Sequence, residues 1–134
     1  MLIVKTKIGQ SMIEGVGLFA DQFIPKGTII WKYDPRFDIY FTKDEVEKMP
    51  SLQKKLLIHS AYLSKKSGNY VYSIDNTRFT NHSIDANTAE NFELHDELEI
   101  PTIATRDIVI GEELTIDYHL IDKADEISDE EYLH

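Results

Sequence analysis

The chain has no cysteine among its 134 residues, which excludes disulfides, thiolate zinc sites and a cysteine nucleophile, and agrees with a reducing compartment. No apolar run approaches the roughly 20 residues needed to cross a bilayer, so no membrane span is expected. The start, Met1-Leu2-Ile3-Val4-Lys5-Thr6-Lys7, lacks the charged head, apolar middle and small-residue cleavage site of a secretory signal. An intracellular address, cytoplasmic or nuclear, follows. Positive charge is also scarce: 14 Lys and Arg face 24 Asp and Glu, for a formal net charge of -10. Phosphate-backbone affinity depends on clustered Lys and Arg that release counterions, so no direct nucleic-acid binding is expected. A basic partner is.

What remains is a composition of 42% hydrophobic and 28% charged residues, suited to one globular domain large enough to fold without staples. Residues 121 to 134 hold six acids against Lys123, a net -5, so half of the negative charge sits in a tenth of the chain. This divides the sequence into a folded domain over 1–120 and an acidic C-terminal tail over 121–134. There are no internal repeats.

Leu2 to Lys7 alternates with period two and reads as a strand leading to a turn at Gly9. A second strand is expected near Gly17 to Ala20 and, beyond the Pro25-Lys26-Gly27 turn, a third over Thr28 to Tyr33, ended by Asp34-Pro35. Thr42-Lys43-Asp44-Glu45 has capping-box spacing and predicts a short helix that stops by Pro50. Ser51 is placed to cap a second helix, continuing to about Leu63, with Leu52, Leu56 and Leu57 as its packing face. Tyr70 to Asp75 reads as a strand, with further strands over Glu90 to Leu94, Ile100 to Thr105 and Glu113 to Tyr118. The fold class is mainly β with a short helical insert.

Three segments stand out. Arg78-Phe79-Thr80-Asn81-His82-Ser83-Ile84-Asp85-Ala86-Asn87 lies about thirty residues before Gly111-Glu112-Glu113-Leu114-Thr115-Ile116-Asp117-Tyr118, and Gly15-Val16-Gly17 precedes both. In that order they resemble the signatures of the SET-domain protein-lysine methyltransferases, roughly R-F-x-N-H-S-x-x-P-N, G-E-E-L-T-x-D-Y and an upstream G-x-G. The resemblance implies small curved sheets in which the C-terminal strand passes through an earlier loop, a pseudoknot that periodicity alone does not reveal. It would bring Asn81, His82 and Tyr118 into one site.

The activity it implies is methyl transfer from S-adenosylmethionine to a lysine amine. That chemistry needs a neutral amine, and an apolar channel ending at a sulfonium lowers lysine's pKa by desolvation and like-charge repulsion. Tyr118 fills the motif's catalytic tyrosine and is expected to orient the amine, because a phenol with a reference pKa of about 10 is a poor base. Asn81 and His82 are expected to hold the cofactor, with Gly15, Val16 and Gly17 letting backbone approach it closely. No metal is needed, and the other histidines show no ligand spacing. Asn87 is expected to pin its loop. Ala86 stands where relatives carry proline, removing a rigid φ.

Tyr33, Tyr72 and Ile116 are the residues carried over to the substrate channel, and Ile116 replaces an aromatic that limits methylation number in some relatives. The absent cysteines mean that no cysteine-rich segment closes the channel wall. Either the tail, through Tyr132 and Leu133, or a second subunit in a homodimer remains to cover it. The implied substrate is a lysine-rich or histone-like protein; the alternative is a noncatalytic SET-like module that binds such proteins.

Overall fold

A computed structural model describes residues 1–94 and 97–121. The expectations for the acidic tail and for His95 and His134 lie outside the described residues. The elements in chain order are β1 (Thr6–Gln10), β2 (Val16–Ala20), β3 (Ile29–Trp31), β4 (Asp38–Phe41), α1 (Lys43–Glu47), α2 (Ser51–Ser60), β5 (Tyr62–Leu63), β6 (Tyr70–Ser73), β7 (Asn81–His82), β8 (Thr88–Glu90), β9 (Thr102–Ala104), β10 (Thr115–Ile116) and α3 (Tyr118–Ile121). Short 3-10 turns cover Asn76–Phe79 and Phe92–Leu94. No helix of the described residues is long and apolar enough to cross a membrane.

The strands form four small sheets: the hairpin β1-β2, the triples β3-β9-β8 and β4-β6-β5, and the pair β10-β7. All pair antiparallel except β10 and β7, which run parallel with Thr115 opposite Asn81 and Ile116 opposite His82. The segment carrying β10 lies between two earlier pieces of chain. On one side the Leu114 N–H donates to the Leu18 carbonyl at 2.8 Å; on the other, the Ser83 N–H donates to the Ile116 carbonyl at 3.1 Å. A late strand is thus held between β2 and the Asn-His-Ser segment.

The main core joins Leu18, Ala20, Ile24, Ile30, Ala104, Ile108 and Leu114, with Leu2 and Val4 packed against it. Each buried Leu or Ile contributes roughly 1.5–3 kcal/mol, so this cluster is the largest apolar contribution to the fold. It ties β2, β3 and β9 to the motif segment through Leu114. A smaller cluster of Val46, Leu57 and Ala61 seats the helical insert on β4 and β6.

Several boundaries differ from the sequence expectation. The first strand is β1, which runs through Gly9, while Leu2 makes only a bridge to Trp31. Thr42 does cap α1 with a complete capping box. Ser51, by contrast, is the first residue of α2 and Pro50 occupies the cap, without a side-chain bond. The α2 helix ends at Ser60 rather than near Leu63, because Tyr62 and Leu63 pair with β6. Leu57 is buried, whereas Leu52 and Leu56 are 71% and 63% exposed, so the expected three-leucine face does not pack as a unit. Residues 92–94 form a 3-10 turn after β8, not a strand.

Candidate active site

The site is built where β7 and β10 run side by side. At the head of β7, the Asn81 amide nitrogen lies 3.0 Å from Ser11 Oγ, 3.1 Å from the Glu14 carbonyl, 3.3 Å from the Val16 carbonyl and 3.0 Å from Glu113 Oε2. One side chain thereby gathers the glycine loop and the motif segment. Ser11 Oγ also donates to the Glu113 carboxylate, 2.9 Å from each oxygen. Gly17 is required by this packing: a Cβ there would stand 2.5 Å from Glu113 Oε2. Gly15 has a different reason, a φ of +49° that suits glycine. Beyond its two chain neighbours, no atom of the described residues lies within 4 Å of where its Cβ would stand, so the loop presents bare backbone there, with Val16 half exposed beside it.

Asn87, at the far end of the same segment, is 1% exposed and fully engaged. Its amide nitrogen donates to Glu112 Oε2 and to the Glu113 carbonyl, each at 2.8 Å, and its oxygen accepts the Thr115 N–H at 2.9 Å. This pins the chain on both flanks of Leu114. Ala86, lacking proline's rigidity, has its carbonyl held by Thr105 Oγ1 and Arg106 Nη1.

Tyr118 begins the short α3 rather than closing a strand. The Tyr118 N–H donates to His82 Nδ1 at 3.1 Å and the two rings lie 5.3 Å apart. Its hydroxyl donates to the Thr80 carbonyl, which has no proton to give back. A phenol fixed in that direction presents its oxygen as an acceptor. The separation in sequence between Asn81-His82 and Tyr118 is therefore closed, as expected.

Tyr118 and Ile116 also line a cavity of about 150 Å³ with Trp31, Tyr62, Leu114 and Glu90. Behind it, the buried Glu99 carboxylate accepts from the Tyr40 hydroxyl at 2.7 Å and from the Tyr62 hydroxyl at 3.4 Å. Burial and Glu99 hold both tyrosine hydroxyls well above the ordinary phenol range. Glu90 is pushed up to about 7 by burial and by Glu99, with Lys65 opposing.

Tyr33 and Tyr72 do not line that cavity. Tyr33 stacks on Tyr40 at 4.8 Å, and its hydroxyl is raised by burial and the nearby Asp38 and Glu99. Tyr72 packs against the small insert cluster and faces a separate surface groove with Ile39, Phe41, Met49 and Leu56. Strand alternation explains the difference, since Tyr72 points away from Val71 and Ser73, which do reach the cavity.

His119 and Asp117, unlike the expectation of an isolated histidine, meet His82, with candidate ligand atoms within 4.8 Å of one another. That spread is wider than the about 3.3 Å between neighbouring nitrogens around a tetrahedral zinc. His82 Nδ1 lies 3.8 Å from Asp117 Oδ1, the His82 and His119 rings meet edge to face at 5.2 Å, and the His119 N–H donates to Asp117 Oδ1 at 3.0 Å.

The SET-domain family profile matches residues 15–119. The chain belongs to the SET-domain family. Among curated SET relatives, histone-lysine N-methyltransferases specific for H3 lysine 36 from Schizosaccharomyces pombe and Candida albicans are each 28% identical, over 80% and 87% of this chain. The chain spans 14% of the length of either relative. A candidate histone methyltransferase from Plasmodium falciparum has a similar fold, with a TM-score of 0.58 and 21% identity over 86% of this chain and 93% of that one. A humanized mutant of the Chaetomium thermophilum Polycomb Repressive Complex 2 aligns with a TM-score of 0.62 and 23% identity, over 92% of this chain and 16% of that one.

Within this SET domain, sequence reasoning missed Ser11 and Glu90, and it saw Thr80 and Asp117 only as motif positions without a role. Glu113 was visible as part of the motif, and its partnership with Asn81 was not. Glu90 shares a face of β8 with the buried Thr88, but the strand was expected to begin only at Glu90, so that alternation was not legible.

Proposed function

We propose that this SET domain is an S-adenosylmethionine-dependent protein-lysine N-methyltransferase acting on a basic, histone-like protein. The observation that carries the reading is the single junction at Tyr118, whose backbone contacts His82 and whose ring lines the cavity. A donor on the His82 side and an amine on the cavity side would meet there.

The residues present suit the donor. The open backbone at Gly15 leaves room for an extended ligand beside Asn81 and His82, with Val16 alongside. S-adenosylmethionine supplies an electrophilic methyl group on a sulfonium. Tyr118 holds the amine by accepting a hydrogen bond at its oxygen, which aligns the nitrogen lone pair and removes the entropic cost of encounter. Leu114, Ile116 and Trp31 exclude bulk water from the cavity wall, favouring the neutral amine. Ile116 lines the cavity where some relatives carry a number-limiting aromatic, so mono-, di- and trimethylation all stay open to this site.

The names of the relatives, with histone as their substrate, and the acidic charge of this chain support the substrate class and an intracellular, nuclear or cytoplasmic, setting. The acidic segment over 121–134, or a second subunit, is assigned to cover the channel. Incubation with labelled S-adenosylmethionine and a mixture of basic proteins tests the reading. Label transfer that is lost in Tyr118→Phe and weakened cofactor binding in Asn81→Ala are expected. Binding of basic proteins without any transfer would instead identify a noncatalytic module.

A further inference from the structure

One carboxylate lies inside the cavity that Tyr118 lines, and the mechanism above leaves it unused. Thr88 and Glu90 alternate on β8, so both side chains turn to the same face, and both line the cavity. Thr88 is spent on the fold, its hydroxyl donating to the Thr115 carbonyl at 2.6 Å. The Glu90 carboxylate accepts no hydrogen bond among the described residues. A second polar group in the same wall is also unmatched: the indole N–H of Trp31, a residue only 5% exposed, finds no acceptor. A buried donor without a partner costs about 1–3 kcal/mol, and the part-buried Glu90 carboxylate keeps its oxygens open to the cavity, so this pocket is shaped for a polar guest.

The guest is a cation by charge. Glu90 feels Glu99, whose own oxygens are taken by Tyr40 and Tyr62, and this pair of acids makes the pocket interior negative. The groups facing Glu90 are Glu99, Tyr62 on β5, Lys65 between β5 and β6, and, around the cavity wall, His59 on α2, Arg78 in the 3-10 turn and Tyr118 on α3. Lys65, exposed on the surface, stabilises the ionised carboxylate. An incoming alkylammonium would do the same from within.

We propose that Glu90 receives the substrate's lysine ammonium inside the cavity and takes its proton before the methyl group is transferred. This rests on the methyltransferase reading. One ammonium N–H bond breaks, its electron pair stays on nitrogen, and an O–H bond forms on Glu90, so a cation and an anion become a neutral amine and a neutral carboxyl group. The proton leaves to solvent once the product has gone. Tyr118 then orients a nucleophile that Glu90 has prepared. A carboxyl held near 7 suits the task, because it is ionised enough to bind the cation at neutral pH and basic enough to accept a proton from a desolvated ammonium.

The test uses two readouts on the full chain. In the first, the side-chain carboxyl of Glu90 is followed by carbon NMR against pH, with and without butylammonium as the probe. The free carboxyl is expected to titrate near 7, and saturating probe to lower its midpoint by about one unit, as a nearby opposite charge does. In the second, kcat/KM is measured against pH for the wild type, Glu90→Gln and Glu90→Asp. The wild-type rate is expected to rise through neutrality. Glu90→Gln should fall about 100-fold at pH 8 and lose that rise, with partial return in Glu90→Asp. A carboxyl that ignores butylammonium, or a Glu90→Gln profile that overlays the wild type, overturns the proposal and leaves methyl transfer intact. A wild type that transfers no methyl group to any basic protein, with the NMR midpoint still displaced, removes the methyltransferase reading while keeping the ammonium pocket.

Discussion

The segment around Asn81, Asn87 and Glu113 and the helical insert over α1 and α2 are held together by different physics. In the first, buried and half-buried polar side chains cross between pieces of chain distant in sequence: Asn87 spans to Glu112, Glu113 and Thr115, and Asn81 to Ser11 and Glu113. In the second, one short capping box and a three-residue apolar cluster suffice, and two leucines of α2 face solvent. Directional bonds fix geometry to within tenths of an ångström, and a small apolar cluster fixes only proximity. The side that must align reacting atoms carries the directional bonds. The insert is free to vary in shape without disturbing them.

The contrast can be broken most strongly at Tyr118. Tyr118→Phe removes the hydroxyl that Thr80 orients and is expected to lower kcat about 100-fold or more, with an unchanged thermal midpoint apart from one lost hydrogen bond. Asn87→Ala strands the Thr115 N–H and the Glu113 carbonyl and should cost about 3 to 4 kcal/mol in chemical denaturation. Glu90→Gln acts on stability with a defined sign. The folded state raises this carboxyl from 4.5 to about 7, so the folded chain binds more protons between those values and the contribution of Glu90 to stability is lost as pH rises through them. Glu90→Gln should therefore match the wild type near pH 4 and exceed it by about 2 to 3 kcal/mol at pH 8. A smaller effect is expected for Gly17→Ala, where the new Cβ pushes on Glu113 and costs about 1 to 2 kcal/mol by urea unfolding. Leu56→Lys sharpens the comparison from the other side: an exposed position on α2 should change stability by under about 0.5 kcal/mol.

What the sequence revealed depends on how local each cause is. The capping box at Thr42 and Glu45 was legible because both halves lie within one turn. Period-two alternation located β6, and the strands expected near Gly17–Ala20 and Ile100–Thr105 fall on β2 and β9 to within a few residues. The face of α2 was misread because Leu52, Leu56 and Leu57 report hydropathy and not what stands opposite them; only Leu57 meets Val46 and Ala61. Tyr118 looked like a strand end and is the start of a helical turn, since its position is set by His82 and Thr80. The passage of the C-terminal strand through an earlier loop was expected only through the resemblance of the two motifs, and its parallel pairing with β7 was not foreseen. Tyr33 and Tyr72 show the limit of that route: β3 ends at Trp31, before the expected Tyr33, and on β6 the pleat turns Tyr72 away from the cavity.

That parallel pair also dictates the order in which the molecule can be finished. During synthesis Asn81, Asn87 and Leu18 emerge well before residues 112–118, and until that last stretch leaves the ribosome their partners do not exist. The closing step joins segments separated by about thirty residues or more, an entropically slow encounter. Nascent chains stopped short of Glu112 should lack every bond that Asn81, Asn87 and Leu18 make to residues 112–116, so the junction around Tyr118 cannot close before that stretch is made.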